Sequence, residues 1–176
     1  MTARRLPLQG EAGVTKYEGD KRTQRALAAY TNLVRASETV VTLLSRQLAS
    51  FGLTMGQFRV LEALLHLGPM SQATLSEKLL CTQSNAGLLT RRLEKDGLVL
   101  RRAHQRDQRS RVIHLTPEGQ KKIAEVFPRQ AKLIRAQMSA LKKREQEALR
   151  RLCRKLGRGD PVRFLKELTK VDADEG

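Results

Sequence analysis

The side chains best suited to chemistry gather between residues 101 and 111, where Arg101, Arg102, Arg106, Arg109 and Arg111 surround one acid, Asp107. Arginine grips phosphate through a rigid fork of donors, so the run suits a polyanion. An acid inside it would cost affinity by repulsion unless it had another task. We read Asp107 as the residue that holds Arg109, because a fixed guanidinium on a loop tip enters a groove or meets a phosphate with less entropy loss than a free one. The run turns at once into Arg111-Val-Ile-His-Leu115, an alternating strand pattern, and so belongs at the tip of a hairpin.

A second constellation lies just upstream. Gln83, Ser84 and Asn85 follow Thr82, which is placed to cap a helix. Amides pair with adenine and hydroxyls with several base edges, while Leu88 can meet a thymine methyl. Arg91 and Arg92 suit phosphate contacts, which set register without reading sequence. Ala86, Leu89 and Leu93 fall on the opposite face and are expected to pack inward. Arg101, at a strand end, is expected to support the loop or touch phosphate. Arg106 and Arg111 are weaker candidates, balanced evenly against plain solvent-facing charges.

Other reactive residues form no constellation. His66, His104 and His114 are scattered, and Cys81 and Cys153 show no ligand or disulfide spacing. Both cysteines are expected to be packing residues, Cys153 buried on an apolar stripe. With no paired carboxylates, nucleophile elbow or phosphate loop, an enzyme has no residues to carry it, and no cofactor or metal is expected. The 176 residues carry 34 Lys and Arg against 18 Asp and Glu, a formal charge of +16, which points to phosphate-rich partners or an anionic surface. Aromatics make up 3% with no Trp, too few for the base-stacking platforms of single-strand binders. The absence of a long apolar window or leader pattern predicts a cytoplasmic protein that does not enter membranes.

The elements that must position these groups follow from periodicity and punctuation. Residues 1–20 read as a mobile arm. From Asp20, an N-cap, apolar residues at Leu27, Tyr30, Leu33, Val34, Val40, Val41, Leu44, Leu48 and Phe51 recur every three or four positions until Gly52. A helix of that length spans about 45 Å, more than a small domain needs for its own core, so a partner chain is expected. Thr54-Met-Gly-Gln57 is a capping box, and its helix runs to Gly68-Pro69. Ser71 and Thr82 then start two short helices, a helix-turn-helix pattern ending at Gly97. Leu98–Arg102 and Arg111–Leu115 read as two strands around the basic loop. Thr116-Pro117-Glu118 starts a helix to about Ala140, kinked at Pro128. A last long helix covers about Lys142–Leu156, with Leu149, Leu152, Cys153 and Leu156 on one stripe, and a short one is expected from Asp160 to Lys170. The expected fold is therefore mainly α with a small β-hairpin wing. A winged helix-turn-helix over residues 53–116 is flanked by dimerisation helices at 21–52 and 117–176.

The segments Leu53–Leu61 (L-T-M-G-Q-F-R-V-L), Leu93–Arg101 (L-E-K-D-G-L-V-L-R) and Asp107–Gly119 (D-Q-R-S-R-V-I-H-L-T-P-E-G) resemble the MarR family of winged-helix transcription regulators. The resemblance implies a homodimer on double-stranded DNA, with a recognition helix in the major groove and a wing, Arg109 oriented by Asp107, in the minor groove. It implies a pseudo-palindromic operator and repression relieved by a small phenolic or anionic effector, in a cleft near Tyr30–Val41 and Met55–Arg59. Two alternatives use the same residues differently: a nucleoid-type architectural binder, and a redox-responsive regulator acting through Cys81. A protein-interaction module without DNA contact is disfavoured by the intact Arg101, Asp107 and Arg109. Residues 142–158 hold eight basic and two acidic residues, read as a solvated face.

Overall fold

A computed structural model describes residues 17–103 and 111–158. The expected N-terminal arm up to residue 16, the loop bearing Arg106, Asp107 and Arg109, and the short helix after Asp160 lie outside the described residues. Helix α1 (Lys21–Ala49) begins at Asp20, whose carboxylate accepts from the amides of Arg22 and Thr23 at 2.7 and 3.0 Å. Helix α2 (Met55–Leu67) carries the expected capping box: the Thr54 hydroxyl accepts from the Gln57 amide, and the Gln57 side chain accepts from the Thr54 amide. Strand β1 (Met70–Ser71), α3 (Gln72–Leu79) and α4 (Gln83–Lys95) follow, with Ser71 and Thr82 as the two caps. Strands β2 (Val99–Ala103) and β3 (Arg111–Leu115) pair antiparallel, and β1 adds to the free edge of β3 through Met70 opposite Ile113. Helices α5 (Pro117–Met138) and α6 (Lys143–Gly157) complete the order, and α5 continues through Pro128.

The core is aliphatic, as the scarcity of aromatics requires. Leu48, Leu61, Leu75, Leu93, Val99, Ile113, Ile123 and Val126 are essentially inaccessible, and Phe58 joins them. One core thus unites the helix-turn-helix and its sheet with the C-terminal end of α1 and the first half of α5. The rest of α1 contributes little: Leu44 and Leu48 are its buried residues, while Tyr30, Leu33, Val41 and Leu43 stay exposed. Strand β1 carries no sequence signal, because its two residues cannot show a period of two. Met70 is nevertheless buried, so the residue after Gly68-Pro69 joins the sheet and closes the core beneath α2 and α3.

Residues 135–158 belong to a second compact unit. There the Gln146 amide donates to the carbonyls of Met138 and Leu141, and the Lys142 amide donates to Glu145 Oε2 at 2.6 Å, fixing the turn into α6. Helix α6 buries none of its residues, and Leu152 and Leu156 are 59% and 58% exposed. Cys153 is exposed, not buried as its stripe led us to expect. Periodicity reports that an apolar face exists; it does not report whether the same chain covers it.

Candidate DNA-binding surface

Helix α4 is held from behind and open in front. Ala86, Thr90 and Leu93 are fully buried, and the Thr90 hydroxyl is satisfied by the Ala86 carbonyl at 2.7 Å. At the N-terminus Thr82 Oγ1 accepts from the Asn85 amide, and the Gln72 side chain of α3 donates to the Gln83 carbonyl at 3.0 Å, tying the two helices across their turn. Gly56 lets α2 approach: a Cβ there would come within 2.8 Å of a Leu89 methyl. Gln83, Ser84, Asn85, Leu88, Arg91 and Arg92 are all exposed. The inward and outward faces are thus those the sequence assigned.

The base of the wing is built from Leu115-Thr-Pro-Glu-Gly119. After α4, Gly97 takes a left-handed φ of 71°, which sends Leu98 back so that its amide donates to the Leu93 carbonyl. Thr116 Oγ1 donates to the Gly97 carbonyl at 2.6 Å and accepts from the Gly119 amide at 3.0 Å, while the Thr116 amide donates to the Leu98 carbonyl. One threonine therefore brackets the end of α4, the start of β2 and the first turn of α5. Gly119 packs so tightly on the Leu98 carbonyl that a Cβ would overlap it.

The arginines divide. Arg102 and Arg111 are exposed on the paired strands, at the root of the loop. Arg101 points back onto α4: Nη2 donates to the Gly87 carbonyl at 3.4 Å, and Nε lies 3.4 Å from Glu94 Oε2, at ion-pair distance without hydrogen-bond alignment. Arg106, Asp107 and Arg109 lie outside the described residues, so the Asp107–Arg109 pairing rests on the sequence. Three interactions have no counterpart in the sequence reading: Arg101 on α4, Gln57 donating to Asp96 Oδ2 at 3.4 Å, and Arg59 donating to the Leu79 carbonyl at 2.9 Å. Their partners lie 14, 39 and 20 residues away for the hydrogen bonds, beyond any local signal.

An open cavity of about 310 Å³ is lined by Arg59, Glu62, Ala63, His66, Leu67, Lys78 and Leu79. Arg59 is common to this cavity and to the segment expected to line an effector cleft, while Tyr30 is 66% exposed and Met55 packs on the core. His66 rests edge-on against Phe127, and Cys81 is half-buried against the core, as a packing residue would be. Among the described residues no three His, Cys, Asp or Glu side chains group as metal ligands, and no helix is long and apolar enough to cross a membrane.

The family model of the MarR family matches residues 53–110. The HTH-type transcriptional regulator YkoM of Bacillus subtilis is 29% identical over 138 residues, covering 78% of this chain and 90% of YkoM. YwoH, a second regulator of that type from the same organism, is 31% identical over 62% of this chain and 80% of its own length. Among solved structures, Bordetella bronchiseptica BpsR, whose DNA binding is regulated by 6-hydroxynicotinic acid, superposes with a TM-score of 0.68 at 26% identity. That match covers 73% of this chain and 91% of BpsR.

Proposed function

Because the chain belongs to the MarR family and is a DNA-binding transcription regulator, not an enzyme, we propose that it acts as a homodimeric repressor on a two-fold operator and is released by a small anionic or phenolic effector. The observation that carries the DNA reading is α4: its buried Ala86, Thr90 and Leu93 fix the register in which Gln83, Ser84, Asn85 and Leu88 face outward. In this reading the first three side chains and Leu88 meet base edges in the major groove, while Arg91 and Arg92 hold phosphate. Arg109, oriented by Asp107, enters the minor groove, with Arg106 and Arg111 on the flanking backbone.

The dimer reading is supported by the exposed apolar residues of α1 and α6, which the described chain leaves open. The effector reading is supported by the likeness to BpsR, and 6-hydroxynicotinic acid is the first compound to test. The sign of regulation rests on the family resemblance.

Selection from a random duplex pool, followed by anisotropy titration across salt, tests the whole. A two-fold repeat with half-sites about 10 base pairs apart is expected. With about six to eight phosphates neutralised per dimer, log affinity should fall against log salt with a slope of about −5 to −7. A selected pool without any consensus would instead favour the architectural binder to which a charge of +16 also lends itself.

A further inference from the structure

We infer that Arg101 is a positioning residue that locks the wing to the recognition helix, and that it makes no phosphate contact of its own. The inference rests on the DNA-binding reading above and refines it. By residue type alone Arg101 belongs with Arg102, Arg106, Arg109 and Arg111 as one more cation for the backbone. Its geometry separates it from the two of these that are described.

Its side chain is 24% exposed and runs from β2 across to α4. There it reaches two points about two turns apart: the Gly87 carbonyl, through Nη2, and the Glu94 carboxylate, beside Nε. Gly87 is buried, and its missing side chain leaves room for the Gln72 amide, which a Cβ would approach within 2.9 Å. The guanidinium thus spans the middle and the C-terminal part of the recognition helix, while Gln72 holds its first residue from the other side.

Besides the packing of Leu93, Val99 and Ile113 in the shared core, the described hydrogen bonds between α4 and the strands otherwise lie at one end. Leu98, Thr116 and Gly119 bracket the strand start to the end of α4, but β2 and β3 continue away from that bracket to the loop. Arg101 sits at the middle of β2, opposite Ile113, and is the described residue that ties the strand back to α4 beyond the bracket. A broad planar fork can donate to the Gly87 carbonyl through one nitrogen while another lies beside Glu94, a span that a compact ammonium does not reproduce. Coupling of this kind matters because groove readout tolerates little displacement: wing and helix must meet the duplex in one register for either to gain.

Glu94 supplies a test of sign. An acid beside a DNA-binding helix repels phosphate, so removing it ordinarily strengthens binding. Here Glu94 neutralises and holds Arg101, so Glu94→Gln should weaken binding.

The experiment uses the full-length protein and a duplex recovered by selection with the wild-type chain, titrated by anisotropy across salt. Arg101→Gln and Arg101→Lys should each lose about tenfold in affinity while the salt slope stays at the wild-type value. Glu94→Gln should lose several-fold. A phosphate-binding Arg101 gives a different pattern: the slope falls by about 0.9 for each phosphate no longer neutralised, Lys rescues, and Glu94→Gln binds more tightly. That pattern overturns the inference while leaving the DNA-binding reading intact. Failure of the wild-type chain to select or bind any duplex would instead remove the reading on which it rests. Glu94 is on the surface, so its variant is expected to fold even if the Arg101 variants do not.

Discussion

Helices α4 and α6 look alike by composition and differ in what holds them. Each pairs apolar with basic residues: α4 exposes Leu88 with Arg91, Arg92 and Lys95, and α6 exposes Leu149, Leu152 and Leu156 with Arg150, Arg151, Arg154 and Lys155. On charge alone α6 is the better partner for a polyanion. Yet α4 buries Ala86, Gly87, Thr90 and Leu93 and is gripped by Gln72 and Arg101, whereas α6 buries nothing. Base readout is decided by differences of about 1 to 3 kcal/mol per contact, which requires side chains held in a fixed register. Charge supplies attraction, but anchorage makes a reader, and this contrast supports the proposal that α4 reads DNA and that the apolar face of α6 meets a second copy.

The sharpest way to break that contrast is to truncate one leucine on each helix. Leu93 is inaccessible in the chain's own core, so Leu93→Ala should cost about 3 to 4 kcal/mol in urea denaturation, at any protein concentration. Leu152 is 59% exposed, and its loss should leave the isolated chain almost unchanged. If α6 covers a partner, the cost of Leu152→Ala appears as a midpoint that falls on dilution more steeply than in the wild type. A Leu152→Ala protein with unchanged concentration dependence would take α6 out of the dimer.

Glycines give a smaller version of the same comparison. Gly119→Ala puts a methyl on the Leu98 carbonyl and must prise α5 from the base of the wing, at about 2 to 3 kcal/mol by thermal denaturation. Gly157, at the end of α6, has nothing within 4 Å of its Cβ position, so Gly157→Ala should be neutral or slightly stabilising. Equal losses at the two sites would mean that α6 is packed as tightly as the wing base.

What was legible in the sequence was local. The caps at Asp20, Thr54, Ser71 and Thr82 and the two faces of α4 follow from residues within one or two turns of each other, where spacing and hydrogen-bond chemistry act directly, and the pairing of β2 with β3 follows from two neighbouring strand patterns around a short connection. The grip of Arg101 on α4, the Gln57–Asp96 bond and the Arg59–Leu79 bond depend on how elements come together, and no spacing rule announces them. Strand β1 was too short to carry a pattern, and the exposure of Cys153 shows the limit of an apolar stripe as evidence of burial. The loop residues Arg106, Asp107 and Arg109 stand on their order in the chain and on the family resemblance.

Helix α1 carries both conditions within itself, an exposed N-terminal half and a C-terminal end anchored by Leu44 and Leu48, so its cap tests the comparison at the finest scale. The Thr23 side chain and then its amide, with the Arg22 amide, hydrogen-bond to the Asp20 carboxylate and hold its pKa below the ordinary value near 3.8. A lowered folded pKa means that the ionised form is favoured in the helix. The cap therefore contributes fully above the unfolded value and is lost as the pH falls through the lower folded value. The Thr54 cap of α2 is a hydroxyl and does not titrate in this range, and its helix is anchored by Phe58 and Leu61. Acidification should thus speed exchange of the Arg22 and Thr23 amides beyond the intrinsic rate while leaving the Gln57 amide protected. Asp20→Asn keeps an accepting oxygen without the charge and should flatten that dependence. Equal acid sensitivity at Thr23 and Gln57 would show that the exposed half of α1 is held by something other than its cap, as a covering partner chain would do.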